Sequence, residues 1–313
     1  MPGKVFSESI LLTFISFWYQ IWGISFSPCG QYVATACNSN DDGIARLWDL
    51  GGNLIASFGG RQGGRFYVRF SPDGQHLVTT SSDATAILHN LQGKVLQVFK
   101  GRQSMVWNVD FSPDGCRMLS AAADGTAKLW DLQGSHLLKL KGHQSNLLNA
   151  CFSPDGQHLA TASDDGTAKL WNLQGHCLVD FKGHLDKLQD VALSPDGRYL
   201  ATASSDRTTR LWDLKGNQLA EFRNNETWVR SVCFSPDSQF LLTTTGIVAK
   251  LWPVEDLDQL RSCGECFVAP GVGGARRSYF GERIMRNSGL NWPCGEKRNP
   301  WFGGLLRSIK LSV

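Results

Sequence analysis

The fold of this chain is decided by the stretch FSPDGQHLATASDDGTAKLWNLQGHCLVDFKGH, residues 152–184. Variants of it recur on both sides, and each begins with a large apolar residue followed by Ser-Pro. These opening residues are Phe26, Phe70, Phe111, Phe152, Leu193 and Phe234. After a first, longer interval they recur with a constant spacing, 111 to 152 to 193 to 234. An internal period of roughly 40 residues predicts a repeat architecture.

The composition of the repeat predicts four short β-strands in each unit. Thr, Val, Leu and aromatic residues alternate, and turn residues follow every few positions. Strand a precedes the Ser-Pro turn, as in 106–111, and strand b follows it, as in 158–163. Strand c, 167–171 in the quoted unit, lies between Asp165-Gly166 and a second turn glycine. Strand d ends at a constant offset before the next Ser-Pro turn, on Phe58, Phe99, Leu140, Phe181 or Phe222.

Two features of these units carry a family resemblance. A Leu-Trp pair ends strand c at 129–130, 170–171 and 211–212, and Gly-His dipeptides stand at 142–143 and 183–184. With the Ser-Pro turns, they resemble WD repeats, in particular the near-identical arrays of bacterial, cyanobacterial-type proteins. Periplasmic Tol-type propellers share the FSPDG turn, but the LWDL strand and the Gly-His dipeptides favour WD repeats. The resemblance covers about residues 10–260 and implies an all-β fold, a β-propeller of four-stranded blades.

The units start near residues 21, 65, 106, 147, 188 and 229, which places one propeller over residues 1–260. The last unit has neither the turn glycine nor strand d. Residues 9–14 have the register of a strand d, since Phe14 precedes Phe26 by the same offset as in the other units. We expect this segment to complete the last blade and close a six-bladed ring, which would remove exposed sheet edges. A seven-bladed ring and an incomplete ring are the alternatives.

Both ends of the chain leave alternatives open. The apolar run 10–19 could be a signal peptide or a membrane anchor, although its register favours a strand and we expect no membrane association. Residues 261–313 form an irregular, basic, Gly-rich tail, a composition also compatible with disorder or with binding to RNA. Cys263, Cys266 and Cys294 have no fourth ligand in this tail, so we predict no metal site.

Composition excludes several classes of protein. The chain has 313 residues, 42% of them hydrophobic, which is enough for one large core. Its net charge of +3 is too small to indicate nucleic-acid binding by itself. Nine cysteines in a chain of this length do not form a disulfide scaffold, so we expect buried thiols in a reducing, cytoplasmic compartment. The sequence contains none of the common phosphate-binding, zinc-protease or hydrolase motifs, and we expect no cofactor.

The resemblance implies a buried hydrogen-bond network in two consecutive blades. The matching residues are His143, Ser163, Asp165 and Trp171 in one blade and His184, Ser204, Asp206 and Trp212 in the next. Ser, His and Asp together also fit a catalytic triad. Two equivalent copies, each with a Trp, favour a structural network instead.

The resemblance also implies that residues near the start of each strand a face the top of the ring. We predict a partner-binding surface formed by Trp22, Phe66, Met105, Trp107, Leu148, Gln189, Trp228 and Arg230. Trp, Met and Arg are enriched at the centres of protein interfaces. We therefore expect a non-catalytic scaffold that binds protein or peptide partners, either as a monomer or within a larger assembly. A propeller hydrolase with an active site in its channel and nucleic-acid binding through the tail are the alternatives.

Overall fold

The computed structural model describes residues 20–38, 44–59, 65–100, 104–223, 227–245, 248–254 and 267–268. Every regular element in these residues is a β-strand. The strands form six antiparallel four-stranded sheets, and neighbours in each sheet are neighbours in the chain. The predicted all-β fold with six four-stranded blades is thereby confirmed. The chain divides into two compact units, with the boundary between Val106 and Trp107.

The first unit contains two sheets. Sheet 1 consists of β1 (Gln20–Phe26), β2 (Tyr32–Asn38), β3 (Ile44–Asp49) and β4 (Leu54–Phe58). Sheet 2 consists of β5 (Arg65–Phe70), β6 (His76–Ser81), β7 (Ala86–Asn90) and β8 (Val95–Phe99).

The second unit contains four sheets. Sheet 3 consists of β9 (Val106–Phe111), β10 (Arg117–Ala122), β11 (Ala127–Asp131) and β12 (His136–Leu140). Sheet 4 consists of β13 (Leu147–Phe152), β14 (His158–Ser163), β15 (Ala168–Asn172) and β16 (Cys177–Phe181). Sheet 5 consists of β17 (Leu188–Leu193), β18 (Tyr199–Ser204), β19 (Thr208–Asp213) and β20 (Gln218–Arg223). Sheet 6 consists of β21 (Ser231–Phe234), β22 (Phe240–Thr244), β23 (Ala249–Pro253) and β24 (Phe267–Val268).

The Ser-Pro turns form for local reasons. In the turn after β9, the Gly115 N–H donates to the Ser112 carbonyl over 2.8 Å. Gly115 has a φ of +70°, which costs glycine little because it has no Cβ. The Asp114 carboxylate accepts hydrogen bonds from the Ser112 hydroxyl and from the Cys116 N–H. The turn therefore satisfies its own polar groups and fixes the path from strand a to strand b.

Each unit buries apolar side chains between consecutive sheets. In the second unit, Ala160, Ala162, Leu170 and Phe181 of sheet 4 pack against Leu188, Val191, Leu193, Leu200 and Trp212 of sheet 5. We call the first set the covering face of its sheet and the second the receiving face of the next. Equivalent contacts join sheets 3 and 4, sheets 5 and 6 and, in the first unit, sheets 1 and 2. The residues that end the five predicted d strands are all buried.

Polar side chains join strand a of consecutive sheets in the second unit. We call strand a the inner strand of each sheet and strand d its outer strand. The Asp190 carboxylate on β17 accepts hydrogen bonds from Asn149 Nδ2 on β13, over 2.6 Å, and from Ser231 Oγ on β21, over 2.8 Å. It also accepts the Val232 N–H over 2.9 Å. Strand a of sheet 5 is thereby held to strand a of both neighbouring sheets.

The structure differs from the sequence analysis in a few boundaries. Strand c of the quoted unit is Ala168–Asn172, one residue later than expected, because Thr167 still belongs to the turn and bonds to Asp165. In sheet 6 the fourth strand is β24, which pairs with Lys250 and Leu251 and lies in the segment expected to be irregular. Residues 9–14, which we assigned to this edge, lie outside the described residues. Closure by that segment and the extent of one domain over 1–260 stay predictions.

The cysteines are less buried than expected. Within the described ranges, Cys37 is buried and Cys151 is half-buried, but Cys29, Cys116, Cys177 and Cys233 are exposed. Cys29 and Cys116 lie in Ser-Pro turns, and Cys177 lies on the outer strand of its sheet, so none of these three positions faces a neighbouring sheet. These six described thiols are all free.

Candidate functional site

Thr161 is the centre of a hydrogen-bonded network in sheet 4. Its Oγ1 accepts the Trp171 Nε1–H over 2.9 Å and lies 2.8 Å from His143 Nε2. His143 Nδ1 lies 2.9 Å from Asp165 Oδ2. Because an ionised carboxylate only accepts hydrogen bonds, Nδ1 carries the proton and Nε2 accepts from the Thr161 hydroxyl. The network thus joins strand c, strand b, the loop before strand a and the turn between strands b and c.

Sheet 5 repeats this arrangement around Thr202. Trp212 Nε1 donates to Thr202 Oγ1 over 2.9 Å, and His184 Nε2 lies 2.8 Å from the same hydroxyl. His184 Nδ1 lies 2.7 Å from Asp206 Oδ2. The imidazoles of His143 and His184 are both almost fully buried. Their ring nitrogens therefore bond inside the fold and do not face solvent.

Ser163 and Ser204, which we predicted as members of the network, lie beside it. The Ser163 hydroxyl donates to the backbone carbonyl of Asn146 over 2.9 Å and accepts the Asp165 N–H. Ser204 makes the equivalent contacts one sheet later. The hydroxyl between Trp171 and His143 is that of Thr161 because Leu159 pairs with Trp171. Thr161 then lies diagonally opposite the indole on the same face of the sheet, whereas Ser163 ends the strand at the turn.

The charges of the network follow from its contacts. Burial lowers the pKa of His143, and the neighbouring Asp165 only partly offsets this effect. Burial raises the pKa of Asp165, but hydrogen bonds from Thr167, the Gln144 N–H and His143 together lower it to about 2. Burial also raises the pKa of Asp206, but hydrogen bonds from His184, Thr208 and the Leu185 N–H outweigh it and hold this pKa well below its usual range. At pH 7 the pair in sheet 4 is a neutral imidazole on an ionised carboxylate.

Glycine precedes each histidine because the backbone passes close to neighbouring side chains. A Cβ on Gly142 would lie 3.0 Å from the Trp171 ring, and one on Gly183 would collide with the Arg210 guanidinium. The Gly-His dipeptide therefore permits this close approach and brings the imidazole to the hydroxyl of strand b.

Part of this network recurs in the other four sheets. In each of them, a ring nitrogen of the aromatic residue on strand c lies 2.8–3.1 Å from a hydroxyl on strand b. These pairs are Trp48 with Thr35, His89 with Thr79, Trp130 with Ser120, and Trp252 with Thr243. This hydroxyl is absent from the network predicted above. A Thr or Ser at the ninth position after the opening residue of every Ser-Pro turn was the available signal.

The predicted partner-binding residues occupy a special position in the sheets. Trp22, Phe66, Leu148 and Gln189 are each the residue at which the pairing of strands a and b shifts register. Such a β-bulge leaves one residue of strand a without an opposite residue and re-aims its side chain. Arg230 directly precedes β21, and its N–H donates to the Thr244 carbonyl over 2.8 Å. In four of the six repeats, the position that we assigned from the resemblance is therefore the β-bulge of strand a.

The predicted partner-binding side chains differ in how far they are exposed to solvent. In the second unit, Trp228 is 56% exposed and Arg230 is also exposed, whereas Trp107, Leu148 and Gln189 are half-buried. In the first unit, Trp22 is 50% exposed and Met105 is similarly exposed. The side chain of Phe66 lies outside the described part of the structure.

The predicted surface does not include the most exposed large apolar side chain among the described residues of the second unit. Leu185 is 90% exposed and follows His184 directly. Its counterpart after His143 is the polar Gln144, so an apolar residue at a turn position was the signal. We define the inner-strand surface as Trp107, Leu148, Leu185, Gln189, Trp228 and Arg230 of the second unit.

A family comparison decides what these repeats are. The model of the WD40 family, described as WD domain, G-beta repeat, matches residues 11–49, 52–90, 93–131, 134–172, 175–213 and 216–252. The chain belongs to the WD40 repeat family. No curated protein matches it significantly. The last five WD40 matches begin at the turn glycine before strand d, and the first begins inside the segment 9–14.

WD40 repeats typically mediate protein–protein interactions, and proteins built from them are usually non-catalytic scaffolds. Among the described residues, no helix has the length and apolar character needed to cross a membrane. No group of three His, Cys, Asp or Glu side chains in the described ranges is placed to hold a metal ion. Cys263, Cys266 and Cys294 lie outside those ranges, so the absence of a zinc site there stays a prediction.

Proposed function

We propose that this WD40 protein is a non-catalytic scaffold that binds a protein or peptide partner through the inner-strand surface. The observation that carries the proposal is the exposure of Trp228, three residues before the inner strand β21. An indole exposes a large apolar area to water unless a partner covers it. Trp and Arg are also the residue types most often found among the residues that dominate binding energy.

The other residues of this part of the second unit suit such a role. Leu185 adds a second exposed apolar side chain, and Arg230 adds an exposed positive charge. Gln189 is fixed, because its Nε2 donates to Ser205 Oγ over 2.8 Å. Lys187 is likewise held by Asp164, over 3.2 Å. A surface with fixed polar groups around exposed apolar anchors loses less conformational entropy on binding.

The geometry of the histidines argues against the hydrolase alternative. A triad needs a serine hydroxyl that donates to the imidazole and faces the substrate. Ser163 donates to a backbone carbonyl instead, and the hydroxyl that does reach His143 belongs to the fully buried Thr161. The Trp171 indole N–H already bonds to that hydroxyl. We therefore assign both histidine networks to stability.

Trp22 and Met105 extend the proposal to the first unit. Both are exposed, and Trp22 lies at a β-bulge like its counterparts in the second unit. We propose them as a second set of partner contacts. We also propose that the protein acts in the cytoplasm, since Cys37 is a free thiol buried in sheet 1.

The test is a capture experiment with three baits. The first is the wild-type chain, and the second carries Trp228→Ala and Leu185→Ala. The third is a matched control with Leu137→Ala and Leu178→Ala, which are exposed leucines on the outer strands β12 and β16. A partner from a lysate of the source cells should be retained by the first and third baits and lost from the second.

Titration of the purified partner should then show binding at least about tenfold weaker for the second bait, which corresponds to the loss of roughly 1.4 kcal/mol or more. Circular dichroism melting curves should coincide for all three baits. Equal retention of the partner by all three baits would reject the inner-strand surface. The single variant Trp22→Ala tests the first unit separately.

A further inference from the structure

The turn between strands b and c of sheet 5 holds an arginine where the backbone favours glycine. Arg207 has a φ of +70°, and the same turn position is Gly125 in sheet 3, with +73°, and Gly166 in sheet 4, with +78°. A Cβ is unfavourable in this left-handed region, so local folding alone selects glycine. A side chain that departs from this preference indicates a role other than stability.

This arginine lies next to the segment that carries Trp228. The Ser204 carbonyl oxygen accepts the Arg207 N–H over 3.3 Å and the Val229 N–H over 3.0 Å. The residue after Trp228 is thus bonded to the turn that presents Arg207. Both of these side chains are exposed, and so is Arg230, which follows two residues after Trp228. The exposed indole therefore has one exposed arginine beside it on the neighbouring sheet and another close to it in the chain.

The charges of these two arginines are not matched by an acidic side chain in the part of the chain that the structure describes. Asp206 precedes Arg207, but its carboxylate accepts hydrogen bonds from His184 and from the Leu185 N–H. The other exposed cations in the segments 182–187 and 223–230, which lead into sheets 5 and 6, do have carboxylate partners. These pairs are Lys182 with Asp180, Lys187 with Asp164, and Arg223 with Glu221.

We infer that the segment that covers Trp228 is an acidic peptide, with an Asp or Glu close to a large apolar anchor and its carboxylate bound by Arg207 and Arg230. This inference rests on the proposed function and specifies the partner of the same surface. A guanidinium binds a carboxylate through two parallel hydrogen bonds. Their attraction is stronger where an apolar contact, here with the indole, excludes water. A basic segment would meet two like charges at this place.

The test starts from a displayed library of random short peptides, which is selected on the full chain. The peptides enriched by the wild type should carry Asp or Glu near a large apolar residue. The chain with Trp228→Ala and Leu185→Ala should not enrich them. The most enriched peptide is then synthesised together with its amide analogue, in which Asn replaces each Asp and Gln replaces each Glu.

Arg207→Gly gives the sharpest measurement because it introduces the residue of sheets 3 and 4. Its melting temperature should stay equal to that of the wild type or rise, since glycine adopts this φ without strain. Its affinity for the acidic peptide, measured by fluorescence anisotropy, should fall about tenfold, while its affinity for the amide analogue should not change. Arg230→Gln should show the same selectivity.

The matched control is Arg198→Gln. Arg198 is an exposed arginine between β17 and β18, at the end of sheet 5 opposite to Arg207. This variant should bind both peptides like the wild type, because it removes a positive charge that lies away from Trp228. It therefore separates a local contact with the carboxylate from an effect of net charge.

The outcomes separate this inference from the proposed function. Peptides that need Trp228 but lack Asp and Glu, or that bind Arg207→Gly as tightly as the wild type, would overturn the inference and leave the proposed function standing. Peptides that bind equally well to the chain with Trp228→Ala and Leu185→Ala would reject the inner-strand surface and the inference with it. An analogue with phosphoserine at the acidic position that binds more than about tenfold tighter would overturn the assignment to a carboxylate.

Discussion

Sheets 4 and 2 meet the same requirement with different side chains. In sheet 4, Thr161 bonds to the Trp171 indole and to His143, which bonds in turn to Asp165. In sheet 2, the position of the tryptophan is taken by His89, whose Nε2 lies 3.1 Å from Thr79 Oγ1. The hydroxyl on strand b is therefore the common element, and the aromatic residue that reaches it can vary.

The smaller ring also keeps its packing contact. His89 meets Phe58 edge to face at 5.1 Å in the first unit, much as Trp212 meets Phe181 at 5.7 Å in the second. A strand c residue at this position thus has two roles, a ring contact with strand d of the preceding sheet and a hydrogen bond to strand b of its own. Loss of the tryptophan therefore removes neither role, but it reduces the buried area that supports them.

The largest expected effect comes from removing the central hydroxyl. Thr161→Val keeps the shape of the side chain but leaves the Trp171 N–H and the His143 Nε2 buried without that partner, which should lower the free energy of unfolding by about 3 kcal/mol. Thr79→Val in sheet 2 removes the contact with a single histidine ring, so it should lower the free energy of unfolding by about half as much. Urea unfolding of both variants measures the difference. Equal losses would mean that the histidine of sheet 4 adds nothing.

The next effect comes from removing the imidazole itself. His184→Ala keeps the bond from Trp212 to Thr202 but removes the bonds to Thr202 and Asp206, so the free energy of unfolding should fall by about 2 kcal/mol. The control is His176→Ala, an exposed histidine, with an expected change within about 0.5 kcal/mol. An unchanged melting temperature for His184→Ala would contradict a stabilising network.

Acidification should weaken sheet 4 in two steps. The unfolded chain takes up a proton on His143 below about pH 6.5, while burial keeps the folded imidazole neutral, so stability falls as the pH drops through this range. Asp165 has a folded pKa of about 2, below the unfolded value of about 3.9, so its contribution is present above about pH 4 and is lost as the pH falls towards 2.

Urea midpoints measured from pH 7 to about pH 2 should show both steps. Asp165→Asn should make the second step smaller, because the amide does not titrate. A second step of unchanged size in that variant would exclude Asp165 as a contributor.

The smallest effect concerns the turn between strands b and c. Ala84 in sheet 2 has a φ of +67°, where sheet 4 has Gly166 with +78°. Ala84→Gly should raise the free energy of unfolding by about 0.5–1 kcal/mol, since a Cβ is unfavourable in this region. Gly166→Ala should lower the free energy of unfolding, because the added Cβ is unfavourable at this φ and would also lie 3.3 Å from the Asp186 carbonyl oxygen. Thermal melts of both variants test this, and changes of the same sign would reject the explanation.

Most of the fold could be predicted from the sequence because its signals are local and repeated. Strands β9 and β14 have the predicted bounds, and the Ser-Pro turns close as expected. The candidate site was predicted less completely. His143, Asp165 and Trp171 were identified, but Ser163 was placed in the position that Thr161 occupies. Both hydroxyls belong to the repeated unit, so periodicity could not choose between them. The choice depends on which residue of strand b lies beside the indole, which is set by the register of strands b and c.

The sequence by itself determined the repeat, the four strands of each unit and the membership in the WD40 family, because turn chemistry and alternation act over a few residues. Only the tertiary structure decided which equivalent residues differ in environment. Ile24 and Val68 occupy the same position in two consecutive repeats, yet Ile24 is exposed and Val68 is buried. Burial depends on whether a neighbouring sheet packs against the residue. That information belongs to the packing of sheets, and no single repeat contains it.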